Sequence, residues 1–123
     1  MKVFDSSALL CMLQGEPGAE MVRSALDDGV HACSAANWSE VAQKSLRAGR
    51  DWTAARQLLL MGFDLQIEPV TAADAERAAA LWPSSPTLSL GDRLCLATAD
   101  RLDAEVWTCD TAWGTSGRVH QVR

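Results

Sequence analysis

The sequence predicts an α/β domain with a parallel sheet and helices on both faces, and three features support this prediction. Short apolar or alternating segments, typical of strands, recur along the chain, and helical segments separate them. Glycine, proline and capping residues mark most of the boundaries. The length of 123 residues fits one domain, residues 1–123, that is large enough to bury a core.

The first half of the chain begins with a short apolar strand, residues 1–4, which the polar sequence Asp-Ser-Ser ends. A helix over 8–14 stops before a glycine and a proline. A second helix covers 20–28, with its apolar residues on one face and a glycine after its end. Residues 30–34 are strand-like, and a helix over 35–48 ends at the next glycine.

The second half continues the alternation. Asp51 caps a helix that continues to Met61, and residues 65–70 alternate as in a strand. Thr71 and Asp74 form a capping box that starts an alanine-rich helix to Trp82. The remaining predicted elements are a loop over 83–86, a helix from Ser89 to about Leu102, a strand over 105–109, a helical turn over 111–114 and a strand over 119–122.

The composition excludes several classes of protein. A net charge of −5 argues against a protein that holds nucleic acid mainly through its own positive charge. The four cysteines are scattered among apolar neighbours and only two histidines are present, so we expect buried thiols and no cysteine or histidine metal site. No segment resembles a signal peptide or a membrane span, which predicts a cytoplasmic protein.

Four acidic residues stand at positions that a parallel sheet would bring together. Asp5 and Asp110 directly follow predicted strands, Glu40 lies early in the helix after the second strand, and Asp92 lies in the first turn of its helix. In open parallel sheets ligands bind at the carboxyl ends of the strands. We therefore expect these four side chains to converge on one crevice.

Each of the four also has a purely structural interpretation, and the sequence leaves both open. Asp5 and Asp110 are good N-cap residues, and Asp92 completes a capping box. Glu40 precedes Lys44 by four residues, which is a favourable spacing for a surface ion pair on a helix.

The four positions taken together favour a functional interpretation. Each acid is set among apolar residues, and the chain has no arginine cluster that would neutralise them. Several carboxylates collected in one partly buried place require a cation between them. Mg²⁺ or Mn²⁺, which prefer oxygen ligands, are the expected ions.

The four acids lie within four segments, in order, that resemble the motifs of the PIN-domain ribonucleases, and in particular the VapC-like toxins of bacterial toxin–antitoxin pairs. The segments are Val3–Leu10, Ser34–Val41, Leu88–Ala97 and Val106–Trp113. No single motif is specific, but together they cover essentially the whole chain. The most acidic members carry a further carboxylate after the fourth acid, where this chain has Thr111 and Ala112.

The resemblance implies a three-layer α/β/α sandwich with a four- to five-stranded, mostly parallel sheet. It implies that the four acids hold one or two Mg²⁺ or Mn²⁺ ions and that the protein cleaves single-stranded RNA. It further implies a homodimer and a cognate antitoxin whose basic tail blocks the acidic pocket. The alternative is a catalytically silent PIN-like module that binds an antitoxin or RNA.

Several further residues have a possible role beside the acids. Asp5, Asp92 and Asp110 are the expected direct ligands, while Glu40 either binds the ion or orients the attacking water. Ser6, Thr108 and Thr111 are candidates to support a carboxylate or a phosphate, with helix capping as the alternative. Arg93 is a candidate substrate contact, with a solvated helix position as the favoured alternative.

For two groups of residues we favour a purely structural interpretation. Lys44, Arg47 and Arg50 have helical spacing, which is typical of an exposed basic face. Most of the tryptophans are expected to pack in the core, namely Trp52, Trp82 and Trp107, whereas Trp38 and Trp113 lie closer to predicted site residues.

Overall fold

A computed structural model describes residues 1–122 and shows a five-stranded sheet in which all neighbouring strands are parallel. The strand order is β3-β2-β1-β4-β5, so the first strand is central. The strands are β1 (Lys2–Phe4), β2 (His31–Ser34), β3 (Gln66–Glu68), β4 (Glu105–Thr108) and β5 (Val119–Gln121). The predicted α/β fold with a parallel sheet is therefore confirmed.

Helices cover both faces of this sheet. They are α1 (Ser6–Gln14), α2 (Ala19–Leu26), α3 (Ala35–Arg47), α4 (Trp52–Gln57), α5 (Ala72–Leu81) and α6 (Leu90–Leu102). The connections through α1–α4 lead the chain from β1 to β2 and β3, and α5–α6 bring it back to β4 on the other side of β1. Right-handed crossovers in opposite directions place the two groups of helices on opposite faces.

The buried side chains form two hydrophobic clusters, as a three-layer sandwich requires. Consecutive residues of β1 point to opposite faces, so Phe4 belongs to one cluster and Val3 to the other. The Phe4 cluster includes Leu9, Val22 and Val41 from α1–α3, and the Val3 cluster includes residues of α6. All four cysteines are buried thiols outside any disulfide, as predicted.

Some element details differ from the prediction. Only residues 52–57 of the segment predicted as one helix to Met61 are α-helical, and Leu58–Gly62 form a wider π-helical turn. This turn buries Leu59 completely and leaves Met61 79% exposed. Trp52 and Trp107 pack against the core as predicted, whereas Trp82 is 56% exposed and its predicted burial is wrong.

Trp82 is exposed because α5 ends there. Pro83 follows, and Trp82–Ser84 form a 3₁₀ turn that leads the chain away from the helix. The segment predicted to be a loop therefore contains a short turn of helix. The apolar character of tryptophan predicts neither the exposure of Trp82 nor the 3₁₀ turn.

An ion pair between the buried Asp74 and the exposed Arg101 connects α5, α6 and the end of β3. Asp74 is almost fully buried and completes the capping box with Thr71. The guanidinium of Arg101 donates to both oxygens of Asp74, at 3.0 and 3.2 Å, and to Glu68 at 3.3 Å. Burial opposes ionisation of Asp74, but the hydrogen bonds from Arg101 and Thr71 outweigh it and lower the pKa.

No helix within residues 1–122 has the length and apolar composition needed to cross a bilayer.

Replacing Asp74 should destabilise the fold strongly. Asp74→Ala removes part of the helix cap and the main partner of Arg101, so we expect a loss of about 1–3 kcal/mol in the free energy of unfolding. Glu76→Ala, on the exposed side of the same helix, is the matched control and should change little. Urea denaturation measures both, and equal effects of the two variants would contradict this account.

Candidate active site

The four acids lie around the point where the strand order reverses. Successive strands are added on one side of β1 until β3, and β4 then pairs with the other side of β1. The crevice at the carboxyl ends of β1 and β4 is therefore the place where an open parallel sheet binds its ligands. Asp5 follows β1, and Asp110 comes two residues after β4.

Asp5 is the most buried of the four, with 2% of its surface exposed. Its carboxylate caps α1 by accepting the amide of Ala8 at 2.8 Å. The hydroxyl of Ser7 donates to the two oxygens at 2.7 and 2.9 Å, and the hydroxyl of Thr108 donates at 2.6 Å. A carboxylate that is removed from water is thus held by three donors from two elements of the chain.

The same two hydroxyls connect the ends of β1 and β4. Ser7 Oγ accepts the amide of Cys109 at 2.9 Å, and Thr108 Oγ1 accepts the amide of Asp110 at 3.0 Å. The sequence had suggested Ser6 for this support, but the structure uses Ser7. Ser6 is instead the first, buried residue of α1, adjacent to the capping carboxylate.

Glu40 is held by a residue that the sequence analysis did not single out. Asn37, one turn earlier on α3, is fully buried and donates to Glu40 Oε1 at 2.7 Å. The hydroxyl of Ser34 at the end of β2 in turn donates to Asn37 Oδ1 at 3.0 Å. The suggested ion pair with Lys44 does not form within residues 1–122.

Glu40 also lies directly against the first turn of α6. A Cβ atom on Gly91 would come within 2.9 Å of Glu40 Oε1, and the Asn37 amide lies 3.4 Å from the Gly91 carbonyl oxygen. A glycine at this position therefore allows α3 and α6 to approach each other. The approach brings Glu40 beside the turn that carries Asp92.

Asp92 and Asp110 cap helical turns, so their structural interpretation is confirmed. Asp92 Oδ2 accepts the amide of Ser89 at 3.1 Å in a capping box. Asp110 Oδ1 accepts the amide of Ala112 at 2.9 Å. Within residues 1–122, the second oxygen of each carboxylate, and Oε2 of Glu40, accept no hydrogen bond. Capping and ligand binding are therefore compatible.

The electrostatics show that the acids influence one another. Burial raises the pKa of Asp5 to about 6, against the hydrogen bonds from Thr108, Ala8 and Ser7, and the charge of Asp92 adds to this rise. Burial likewise raises the pKa of Asp92, and the charges of Glu40 and Asp110 contribute. Asp92 is thus coupled to each of the other three acids.

Within residues 1–122, no basic side chain forms an ion pair with these four acids. The ion pairs within residues 1–122 involve other acids, namely Asp28, Glu68, Asp74, Asp100 and Asp103. Arg93 does not face the acids, because its Nη1 donates to the Ala78 carbonyl at 2.8 Å. Thr111 is exposed at the start of a 3₁₀ turn.

The donor set fits a hard divalent cation, although the side chains do not form a ready-made cluster. In residues 1–122, no three histidine, cysteine or acidic side chains stand close enough to hold an ion as they are. The available donors are carboxylate oxygens, which Mg²⁺ and Mn²⁺ prefer. Their mutual repulsion and the lack of a basic partner favour binding of such an ion.

Comparison with known proteins agrees with this geometry. The PIN domain family matches residues 2–115, which is most of the chain. The chain belongs to the PIN domain family. The family resemblance of the four motifs is therefore confirmed. A comparison with curated protein sequences gives no significant match.

Several solved structures share the fold of this PIN domain over its whole length. A toxin–antitoxin complex from Klebsiella pneumoniae has a TM-score of 0.83 and 24% identity, covering 100% of this chain and 98% of that chain. VapC20 of Mycobacterium tuberculosis, a Sarcin-Ricin loop cleaving toxin, has a TM-score of 0.77 and 18% identity, with 97% of both chains covered. FitAcB from Neisseria gonorrhoeae has a TM-score of 0.75 and 19% identity, covering 99% and 98%.

The buried charge of Asp5 predicts a characteristic pH dependence of stability. Its pKa is about 6 in the folded PIN domain and 3.8 ordinarily, so the folded state binds more protons between these values. Metal-free protein should therefore lose stability as the pH rises from about 4 to about 6, and then level off. Asp5→Asn should remove this loss and raise the free energy of unfolding at about pH 8 by about 1–3 kcal/mol.

Urea denaturation in EDTA across this pH range tests the prediction. Asp64→Asn, at an exposed position outside the crevice, serves as the control and should leave the pH profile unchanged. An Asp5→Asn protein that is less stable than the wild type at about pH 8 would show that the carboxylate stabilises the fold, contrary to this account.

Proposed function

We propose that this PIN domain is a metal-dependent endoribonuclease that hydrolyses phosphodiester bonds in RNA, and that it is the toxin of a toxin–antitoxin pair. The observation that supports this most is the group of four electrostatically coupled carboxylates, without a basic partner in the described residues, at the switch point of the sheet. The similar fold of VapC20, a Sarcin-Ricin loop cleaving toxin, supports the choice of substrate.

In this proposal Asp5, Asp92 and Asp110 bind Mg²⁺ or Mn²⁺, and Glu40 either binds the ion or orients the attacking water. When bound, such an ion acidifies water and stabilises negative charge on the phosphate. No basic side chain within residues 1–122 pairs with these acids, so the ion would also neutralise their charge. The raised pKa of Asp5 implies that protonation of this carboxyl competes with metal binding below about pH 6.

The residues around the acids keep them in place. Ser7 and Thr108 orient the Asp5 carboxylate through three hydrogen bonds. Asn37 fixes the direction of Glu40, and the Ser89 capping box fixes Asp92. Groups that orient metal ligands in this way usually matter nearly as much as the ligands.

The partners follow from the same proposal. One of the similar structures, from Klebsiella pneumoniae, is a toxin–antitoxin complex by its description. For this chain we propose a cognate antitoxin with a basic tail that enters the acidic crevice, a homodimer, and a cytoplasmic location. Charge complementarity between such a tail and four coupled carboxylates supports the antitoxin.

Asp92→Asn should abolish cleavage while preserving the fold. Asparagine can still accept the Ser89 amide in the capping box, but it removes the charge that is coupled to the other three acids. We expect RNA cleavage with Mg²⁺ or Mn²⁺ to fall by more than about a hundredfold, since even groups behind the ligands are often worth 10–100-fold. Gel analysis of RNA with each ion or with EDTA measures this.

Asp51→Asn is the matched control, because Asp51 caps α4 in a similar way outside the crevice. It should cleave RNA like the wild type. Binding of the metal without any cleavage by the wild type would contradict the nuclease and favour the catalytically silent module. Cleavage that needs neither the metal nor Asp92 would contradict the assigned site.

Gly91→Ala should separate stability from activity. A Cβ at this position would stand 2.9 Å from Glu40 Oε1 and 3.3 Å from its Cδ, so the carboxylate has to move. Alanine is otherwise favourable in a helix, by up to about 1 kcal/mol over glycine. We expect an unchanged or raised thermal midpoint together with a loss of cleavage. Full activity in a folded Gly91→Ala protein would mean that cleavage does not depend on the present position of the Glu40 carboxylate.

A further inference from the structure

The basic residues of the chain are distributed unevenly. The net charge is −5, yet residues 41–63 contain four basic residues and a single acidic one. This segment covers most of α3, all of α4 and the π-helical turn. A local excess of positive charge on an acidic protein marks a place where an anion can approach.

Most of the other basic side chains are already engaged within the protein. Five of them form ion pairs or donate to backbone carbonyls, namely Lys2, Arg77, Arg93, Arg101 and Arg118. Arg23 lies over the ring of Phe63, 5.5 Å from its centroid. Apart from Arg23, the basic residues without an ion pair or side-chain hydrogen bond in residues 1–122 are Lys44, Arg47, Arg50 and Arg56.

These free basic residues continue the helix face that carries Glu40. Lys44 and Arg47 follow Glu40 by four and seven residues on α3, and this spacing places all three along one face. Both basic side chains are exposed, whereas Val41 and Ser45 of the adjacent face are buried against the protein. The positive charge therefore begins one helical turn from a site carboxylate.

Arg50 extends this surface beyond the end of α3. Its amide donates to the carbonyl of Ser45 at 3.0 Å, which folds the chain closely around the helix end. Asp51 is the only acidic residue nearby in sequence, and its Oδ1 accepts the amide of Ala54 at 3.0 Å as the cap of α4. Lys44, Arg47 and Arg50, here called the α3 basic surface, are thus free to bind an external anion.

We infer that the α3 basic surface binds the phosphate backbone of the RNA strand on one side of the cleaved bond. The inference rests on the proposed RNA substrate. A strand bound at the acids lies beside Glu40, and unpaired positive charge follows on the next turn of the same helix, at Lys44. Backbone binding of this kind holds single-stranded nucleic acid without regard to sequence. An acidic segment of a protein partner is the other candidate occupant. Such a segment gives no reason for the basic residues to lie next to the site acids, whereas an RNA strand bound at those acids does.

The test measures binding of a fluorescein-labelled single-stranded RNA by fluorescence anisotropy over a series of salt concentrations. The Asp92→Asn background keeps the RNA intact. For Lys44→Gln/Arg47→Gln/Arg50→Gln in this background, the slope of log K against log salt should become shallower by about 2, since each phosphate contact on a single strand contributes about 0.7. Affinity at about 0.1 M salt should fall by about 10–100-fold.

Matched single variants control for net charge. Arg47→Gln should reduce the slope by about 0.7, whereas Arg23→Gln, which removes one charge from α2, should leave it unchanged. Thermal denaturation checks that each variant is folded. An unchanged slope in the folded triple variant overturns the inference, as does equal loss in Arg47→Gln and Arg23→Gln.

The outcome is independent of whether the wild type cuts RNA. If the wild type binds RNA through this surface but never cleaves it, the proposed nuclease fails while the α3 basic surface stands. If the triple variant binds RNA like its Asp92→Asn parent but no longer binds the antitoxin, the surface serves a protein partner and the RNA inference is wrong.

Discussion

The hydrogen bond from Thr108 to Asp5 is the interaction on which the arrangement of the crevice depends. A carboxylate at the end of the central strand is unfavourable unless donors surround it, and Thr108 is the donor that comes from the neighbouring strand. Because Thr108 also accepts the amide of Asp110, the same hydroxyl fixes the chain that carries a second acid. The position of Asp110 relative to Asp5 is therefore set by one side chain of β4.

The same residues serve folding and the site, and the two roles do not conflict. Asp92 and Asp110 each use one oxygen to cap a helical turn, and the second oxygen accepts no hydrogen bond within residues 1–122. Capping also fixes the orientation of these two side chains. Burial and mutual repulsion still raise the pKa values of Asp5 and Asp92, so the site opposes the stability of the fold, as is common for functional carboxylates.

The fold and the position of the acids could be predicted because both follow from local sequence. Each acid comes directly after a strand or within the early turns of a helix, and parallel topology brings such positions to one edge. The contacts that orient the acids could not be predicted in this way. Asp5 and Thr108 are 103 residues apart, and Asn37 meets Gly91 across 54 residues. The choice of Ser7 over Ser6 depends on which hydroxyl of the first turn faces β4.

Under the proposed function, this acidic PIN domain has to bind a substrate that is itself an anion, so the protein and the RNA repel each other. A metal ion offsets this repulsion mainly within about 10 Å of the cleaved bond, because that is the screening length in roughly 0.1 M salt. Longer RNA therefore needs positive charge outside the crevice. Within residues 1–122, five basic side chains form ion pairs or donate to backbone carbonyls and Arg23 lies over Phe63, whereas the remaining four lie together in residues 44–56. Helix α3 carries both a site carboxylate and positive charge outside the crevice, because Glu40 lies in its first half and Lys44 and Arg47 lie on the turns that follow.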